Sequence, residues 1–281
     1  MIDKNKIFLI VGLGLMGGSY AEKLTEQGYT VYAINRHKEA IEIGKSRGII
    51  RNADEDDEAL IKMADYIILG LIPSMCPKWV EANVSLLKKG AIITDMMGVK
   101  CNLVYDIQKS LPNNEFISMH PMTGKELSGV VYSSSNIFNS SNMIIVPTKE
   151  NTEKGKHFAR DLANILGVKN VNELSPEEHD EIVGYVSHLS HVISVCLMNC
   201  YDSKDLSKYA GTAFKDITRI ANINENIWAE LFIKNKKALI PLIEAYQSQL
   251  ETMKELIQSE DEQGLKKVLV SSATKRKKLN S

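Results

Sequence analysis

A chain of 281 residues, 44% hydrophobic and 25% charged, is long enough for one large or two ordinary globular domains with a buried core. Its formal charge of −1 gives no global field to attract nucleic acid or an anionic membrane, and no apolar run approaches the ~20 residues of a bilayer span. Met1-Ile2-Asp3-Lys4 passes quickly into a strand without a leader pattern, and Cys76, Cys101, Cys196 and Cys200 lack CxxC spacing. Both features are expected of a cytoplasmic protein with idle thiols.

The predicted elements begin with an apolar strand over 7–11, ending at Gly12. An amphipathic helix runs to Gln27, and a second strand covers 30–34. Residues 40–48 read as helix, 66–71 as a buried strand, 79–87 as helix, and 91–94 and 116–119 as strands. Strands at 143–146 and 169–171 flank a helix over 153–166. Short continuous apolar strands separated by helices predict a mostly parallel sheet covered on both faces, the doubly wound α/β class. At Ser175-Pro176-Glu177-Glu178 the pattern changes to a capping box, and only helical signals follow. The stretch 227–258 carries Trp228, Leu231, Phe232, Leu239 and Leu242 at helical spacing, with a kink expected at Pro241. So long an apolar stripe calls for neighbouring helices or a second subunit. The division is therefore a dinucleotide-binding domain over 1–173 and a helical substrate and dimerisation domain over 174–281. The basic run Lys275 to Lys278 reads as a solvated chain end.

Between the first strand and first helix lies Gly12-Leu13-Gly14-Leu15-Met16-Gly17. In that context a GxGxxG segment points to a Rossmann-type nucleotide site: Gly12 for the tight turn, Gly14 for close approach of the pyrophosphate, Gly17 for helix–strand packing. Free N–H groups at the helix start would face the phosphates. The second strand ends at Asn35-Arg36. Asn35 cannot repel a 2′-phosphate and Arg36 can pair with one, which leans the cofactor towards NADP, with NAD as the alternative.

Ligands of open α/β sheets bind beyond the carboxyl ends of the strands. Two segments fall there, Thr94-Asp95-Met96-Met97-Gly98-Val99-Lys100 and His120-Pro121-Met122-Thr123-Gly124. A histidine at such a place can act as a base near neutral pH, or can merely tie down a loop.

Five blocks in order, Gly12 to Gly17, Asp95 to Lys100, His120 to Gly129, Ser187 to His191, and Gly211 to Ala221 followed by Trp228 and Asn235, resemble the motifs of prephenate and arogenate dehydrogenases. The resemblance implies hydride transfer from the substrate ring to NAD(P) with loss of the ring carboxylate as CO2, in tyrosine biosynthesis. It implies His120 as base, Arg219 as the cation that holds the ring carboxylate, and His191, with His188 second, near the substrate. Trp228, Thr123 and Gly98 fall beside the substrate by the same matching, and Asp95 beside the cofactor. A homodimer through the helical domain is expected. His188 and His191 lie three apart on a helix, but no matching Cys, His or carboxylate cluster supports zinc, so no metal is expected.

Two departures stand out. Gly98 occupies a position where the family usually has a serine whose hydroxyl serves the reacting centre, and Thr123 or a water is a possible substitute. Thr212 and Ala213 replace common glycines. Prephenate is the expected substrate, with arogenate as the alternative. A β-hydroxyacid-type dehydrogenase would need a catalytic lysine with an asparagine four residues later, which neither Lys208 nor Lys215 has. A catalytically inactive nucleotide-binding sensor is the reading that Gly98 alone would favour.

Overall fold

The computed structural model describes residues 1–52, 55–202 and 204–279. They form two compact units, Met1–Asn235 and the segment from Lys236 onward.

The first unit opens with β1 (Ile7–Val11), α1 (Leu15–Glu26), β2 (Thr30–Ile34), α2 (Lys38–Ser46), α3 (Asp57–Met63), β3 (Tyr66–Leu69), α4 (Met75–Asn83), β4 (Ile92–Asp95), α5 (Cys101–Lys109) and β5 (Glu115–Phe116). The strands make an all-parallel sheet in the order β2-β1-β3-β4-β5. β1 is buried on both faces because its residues alternate between two cores. Phe8 and Ile10 join Tyr20, Leu24 and Phe158, while Leu9 and Val11 join Leu60, Val80 and Val104. Each fully buried side chain of this size stabilises the fold by roughly 1.5–3 kcal/mol.

The strand expected over 116–119 is two strands. The Ile117 amide still donates to the Ile93 carbonyl at 3.0 Å, but from Ser118 the chain enters a second sheet. There β6 (Ser118–Pro121) runs antiparallel to β7 (Asn142–Val146), which lies parallel to β8 (Asn170–Glu173) across α6 (Glu153–Leu166). Apolar periodicity reports burial but not which neighbour a strand pairs with, so the switch at Ile117 left no trace in the pattern. The short amphipathic helices α3 and α5 were not among the predicted elements, and α4 begins four residues before the expected start.

The capping box forms as read. The Ser175 hydroxyl accepts from the Glu178 amide, and the Glu178 carboxylate accepts from the Ser175 amide. It starts α7 (Pro176–Val183), which continues through a widened π turn, Gly184–Leu189, into α8 (Ser190–Asn199). This unbroken helix, Pro176–Asn199, is long and apolar enough to cross a membrane by length and composition. That corrects the expectation that no run qualifies; His179, Asp180 and His188 on this helix belong to the network described below. α9 (Leu206–Tyr209), α10 (Thr212–Thr218) and α11 (Glu225–Lys234) complete the unit.

The second unit is α12 (Lys236–Gln258) and α13 (Glu262–Lys278). The stretch 227–258 divides at Asn235, between α11 and α12, and Pro241 lies inside α12. The proline removes one intrahelical hydrogen bond without ending the helix, whereas the Asn235 side chain is bound to other elements. Lys275 to Lys278 form the last turn of α13, where cations complement the helix dipole.

Candidate active site

The loop after β1 is shaped by what each glycine faces. Gly12 has φ +98°, and a Cβ there would overlap the Gly70 carbonyl; one at Gly17 would overlap the Gly12 carbonyl. At Gly14 a Cβ would meet nothing within 4 Å, so this is the open side of the loop. Gly14 caps α1 without a side-chain hydrogen bond, leaving the first-turn amides of Gly14, Leu15 and Met16 without intrahelical partners. An open loop side with free helix-start amides fits a pyrophosphate. Leu13 differs from its neighbours: its side chain is buried in the core and its amide donates to Asn35 Oδ1 at 3.0 Å. Asn35 Nδ2 in turn donates to the His37 carbonyl at 3.0 Å, so this side chain braces the glycine loop. Arg36 is exposed, with its guanidinium 3.2 Å from the His37 ring.

Asp95, at the carboxyl end of β4, is fully buried. Its Oδ1 accepts from Ser118 Oγ at 2.6 Å and the Met119 amide at 3.0 Å. Its Oδ2 accepts from Lys100 Nζ at 2.6 Å and the Met97 amide at 3.0 Å. Lys100 Nζ also donates to the Met119 carbonyl at 2.8 Å. The pair clamps the end of β4 to the start of β6, and so sets the Gly98 loop beside His120. A Cβ at Gly98 would lie 3.9 Å from His120 Cε1 and 3.3 Å from Leu231 Cδ2.

His120 is the third residue of β6, half-buried and opposite Ile144 in register. Its Nδ1 lies 2.9 Å from Nε2 of His179. His179 Nδ1 lies 2.8 Å from Asp180 Oδ1, and Asp180 accepts from the amides of Lys100 at 2.8 Å and Cys101 at 3.0 Å. Burial, with smaller contributions from His179, Lys100 and His188, holds the His120 imidazole well below its usual pKa. Burial also lowers His179, against the opposing hydrogen bond to Asp180. Burial by itself would raise the Asp180 carboxyl, but hydrogen bonds from His179 and Cys101 keep it below the usual range.

The π turn and α8 bring two further histidines to the site. His188 is buried, and its Nδ1 accepts from Asn235 Nδ2 at 3.0 Å; the same amide nitrogen donates to the Asp180 carbonyl at 2.8 Å. The carbonyl admits only a donor, so the amide orientation is set, and neutral His188 carries its proton on Nε2. Burial pushes its pKa down to about 4. His191 Nδ1 donates to the Ser187 carbonyl at 2.8 Å, and its ring stacks on Trp228 with centroids 3.6 Å apart. Arg219, 62% exposed, pairs with Glu126; both charges act on His191. The Thr123 hydroxyl donates to the Ile137 carbonyl at 3.0 Å. Ser74, in the loop after β3, donates through its amide and hydroxyl to Glu230 of α11 at 2.6 and 3.0 Å. Among the described residues no group of three His, Cys, Asp or Glu is placed to hold a metal.

The structure thus gathers His120, Gly98, His188, His191 and Trp228, with Arg219 and Glu126 also close to His191. His179 and Asp180 were missed by sequence reasoning. They follow an acidic capping box, where a His-Asp pair reads as a solvated face, and only their burial reveals an inward role.

Two family models match the chain in succession. Residues 20–171 match the prephenate dehydrogenase nucleotide-binding domain and residues 175–271 the prephenate dehydrogenase dimerization domain. The chain is 30% identical over 274 residues to a prephenate dehydrogenase of Lactococcus lactis subsp. cremoris, covering 92% of this chain and 73% of that one. It resembles the crystal structure of prephenate dehydrogenase from A. aeolicus in complex with hydroxyphenyl propionate and NAD+, with TM-score 0.90 and 31% identity over 99% of this chain and 100% of that one. It also resembles Synechocystis arogenate dehydrogenase, with TM-score 0.82 and 25% identity over 97% and 99% of the two chains. With more than half its length matched by one of the two domain models, the chain belongs to the prephenate dehydrogenase family.

Proposed function

We infer that this protein is an NAD(P)-dependent dehydrogenase that converts prephenate to 4-hydroxyphenylpyruvate and CO2 in tyrosine biosynthesis. The observation that carries the reading is His120, a neutral, half-buried imidazole in β6 beside Gly98. When bound, the nicotinamide takes up the hydride that leaves the ring carbon bearing the hydroxyl. As that hydride departs, positive charge develops at the carbon, and His120 accepts the hydroxyl proton. Loss of CO2 returns an electron pair to the ring, which becomes aromatic, and the proton goes back from His120 to the phenolate oxygen. Arg219 exchanges Glu126 for the ring carboxylate, held by two parallel hydrogen bonds without proton transfer. Neutral His188 offers an Nε2–H donor to the substrate, and Trp228 holds His191 by stacking. Asp95 serves the cofactor indirectly, through the clamp that positions the Gly98 loop.

The same reading divides the chain into a nucleotide-binding part, 1–173, and a helical substrate and dimerisation part, 174–281. Exposed Tyr185, Val186, Met198 and Ile233 support a homodimer through the helical part. Arg36 beside His37 favours NADP over NAD. A cytoplasmic location accords with a small-molecule biosynthetic role. Arogenate is the second reading, supported by the likeness to Synechocystis arogenate dehydrogenase.

The test is nicotinamide reduction followed with prephenate and arogenate, each with NAD+ and NADP+. Turnover with prephenate, faster with NADP+, is the expected result. Silence in all four assays, with cofactor binding intact, would overturn the catalytic assignment.

A further inference from the structure

We propose that His179 and Asp180 form a positioning relay that holds His120 in the tautomer with a bare Nε2. The inference rests on the reading of His120 as the base and follows from counting protons along a chain of short contacts.

Both carboxylate oxygens of Asp180 accept backbone amides, Oδ1 from Lys100 and Oδ2 from Cys101. An ionised carboxylate has no proton to give. The contact at 2.8 Å between Asp180 Oδ1 and His179 Nδ1 therefore places a proton on His179 Nδ1. Neutral His179 then has a bare Nε2. That nitrogen lies 2.9 Å from His120 Nδ1, so the next proton sits on His120 Nδ1. Neutral His120 is left with an unprotonated Nε2 on the far side of its ring, the form a base requires. The other tautomer would set two lone pairs against each other in a buried contact.

The charged and titratable groups around the relay are consistent with neutral rings. His120 faces His179 from α7, Lys100 from the head of α5 and His188 from the π turn. His179 faces Asp180, Lys100 and Asp95. The Asp180 carboxylate is bonded to the second ring, that of His179, and not to the first. Once His120 takes up a proton, its Nδ1–H remains bonded to His179 Nε2, so the relay also stabilises the imidazolium without moving the ring.

Imidazole 15N NMR reads the tautomer in the full-length protein without substrate, the His120 signals being assigned as those lost in His120→Asn. Wild type is expected to show a protonated Nδ1 and a bare Nε2 at His120. In His179→Leu the Nε2–H form should appear. There kcat should fall about 100-fold or more, with KM for prephenate and cofactor affinity within about twofold of wild type. The acid limb of the kcat/KM profile should move to lower pH, because the imidazolium loses its Nδ1 acceptor. His179→Gln, which keeps an acceptor, should recover most of the loss; a purely space-filling role would be met by leucine and would move neither limb nor tautomer. A wild-type His120 carrying its proton on Nε2 overturns the relay even if no variant folds. So does a folded His179→Leu with unchanged tautomer and turnover while His120→Asn is inactive. Full turnover by His120→Asn would instead sink the base assignment, and the NMR result would then judge the relay on its own.

Discussion

Gly98, in the loop after β4 of the first sheet, faces His120, in β6 of the second, with a Cβ at position 98 falling 3.9 Å from His120 Cε1. A side chain added at this glycine would meet the edge of the imidazole beside its bare nitrogen. The backbone there does not lie in the left-handed region, and the tighter neighbour is Leu231 Cδ2 at 3.3 Å. Gly98→Ser should therefore be accommodated by a small shift of Leu231, at less than about 1.5 kcal/mol. It should raise kcat several-fold by giving the reacting hydroxyl and the imidazole a common hydrogen-bond partner. Steady-state kinetics with a thermal melt decides this, and a fall in kcat at unchanged Tm would show that the hydroxyl has no productive role.

The Arg219–Glu126 ion pair sits on a partly exposed surface, with the arginine 62% and the glutamate 30% exposed. Such a pair adds little to stability, so its effects should appear in binding. Arg219→Lys should lower kcat/KM for prephenate at least about tenfold, because a single ammonium cannot reproduce the two-pronged contact. Glu126→Gln should lower KM by freeing the guanidinium for the substrate. Both variants should melt with the wild type.

His188 makes stability depend on pH in a direction that can be worked out. Its folded pKa is lowered from 6.5 to about 4 by burial, so the unfolded chain binds its proton first. The contribution is complete above pH 6.5, is lost as pH falls towards 4, and is constant below that. A shift of this size corresponds to roughly 3 kcal/mol. Urea melts across this range should show the decline, and His188→Gln should flatten it. An unchanged slope in the variant would assign the decline to other groups.

At the nucleotide loop, Asn35 and Arg36 should separate by cofactor. Arg36→Ala should weaken NADP+ about tenfold and leave NAD+ nearly unchanged, since it removes a charge-assisted contact to a phosphate that only NADP carries. Asn35→Ala should weaken both cofactors, because it releases the Leu13 amide and loosens the loop they share. Fluorescence titration of each variant with each cofactor tests the contrast, which a purely structural Arg36 would erase.

Much of the fold was legible in the order of residues because local physics settles it. The strands at Ile7–Val11 and Thr30–Ile34, the helix Glu153–Leu166 and the capped start at Pro176 all form where pattern and caps place them. The glycine loop follows from three positions where a side chain would clash or fill open space. Gly98 could be placed beyond the end of β4 by the same reasoning, whereas His120, expected just after a strand, lies within β6 opposite Ile144. What only the tertiary structure decided is which polar groups meet after the chain folds back. Periodicity could not reveal that the chain changes sheets at Ile117, nor that Asp95 turns inward to clamp β6. Nor could it show that Asn35, at the end of β2, braces the glycine loop. His179 and Asp180, 59 and 60 residues beyond His120, reach it only because α7 packs against the second sheet. A hydrogen bond between residues so far apart leaves no local signature, and the protonation state of His120 is decided there.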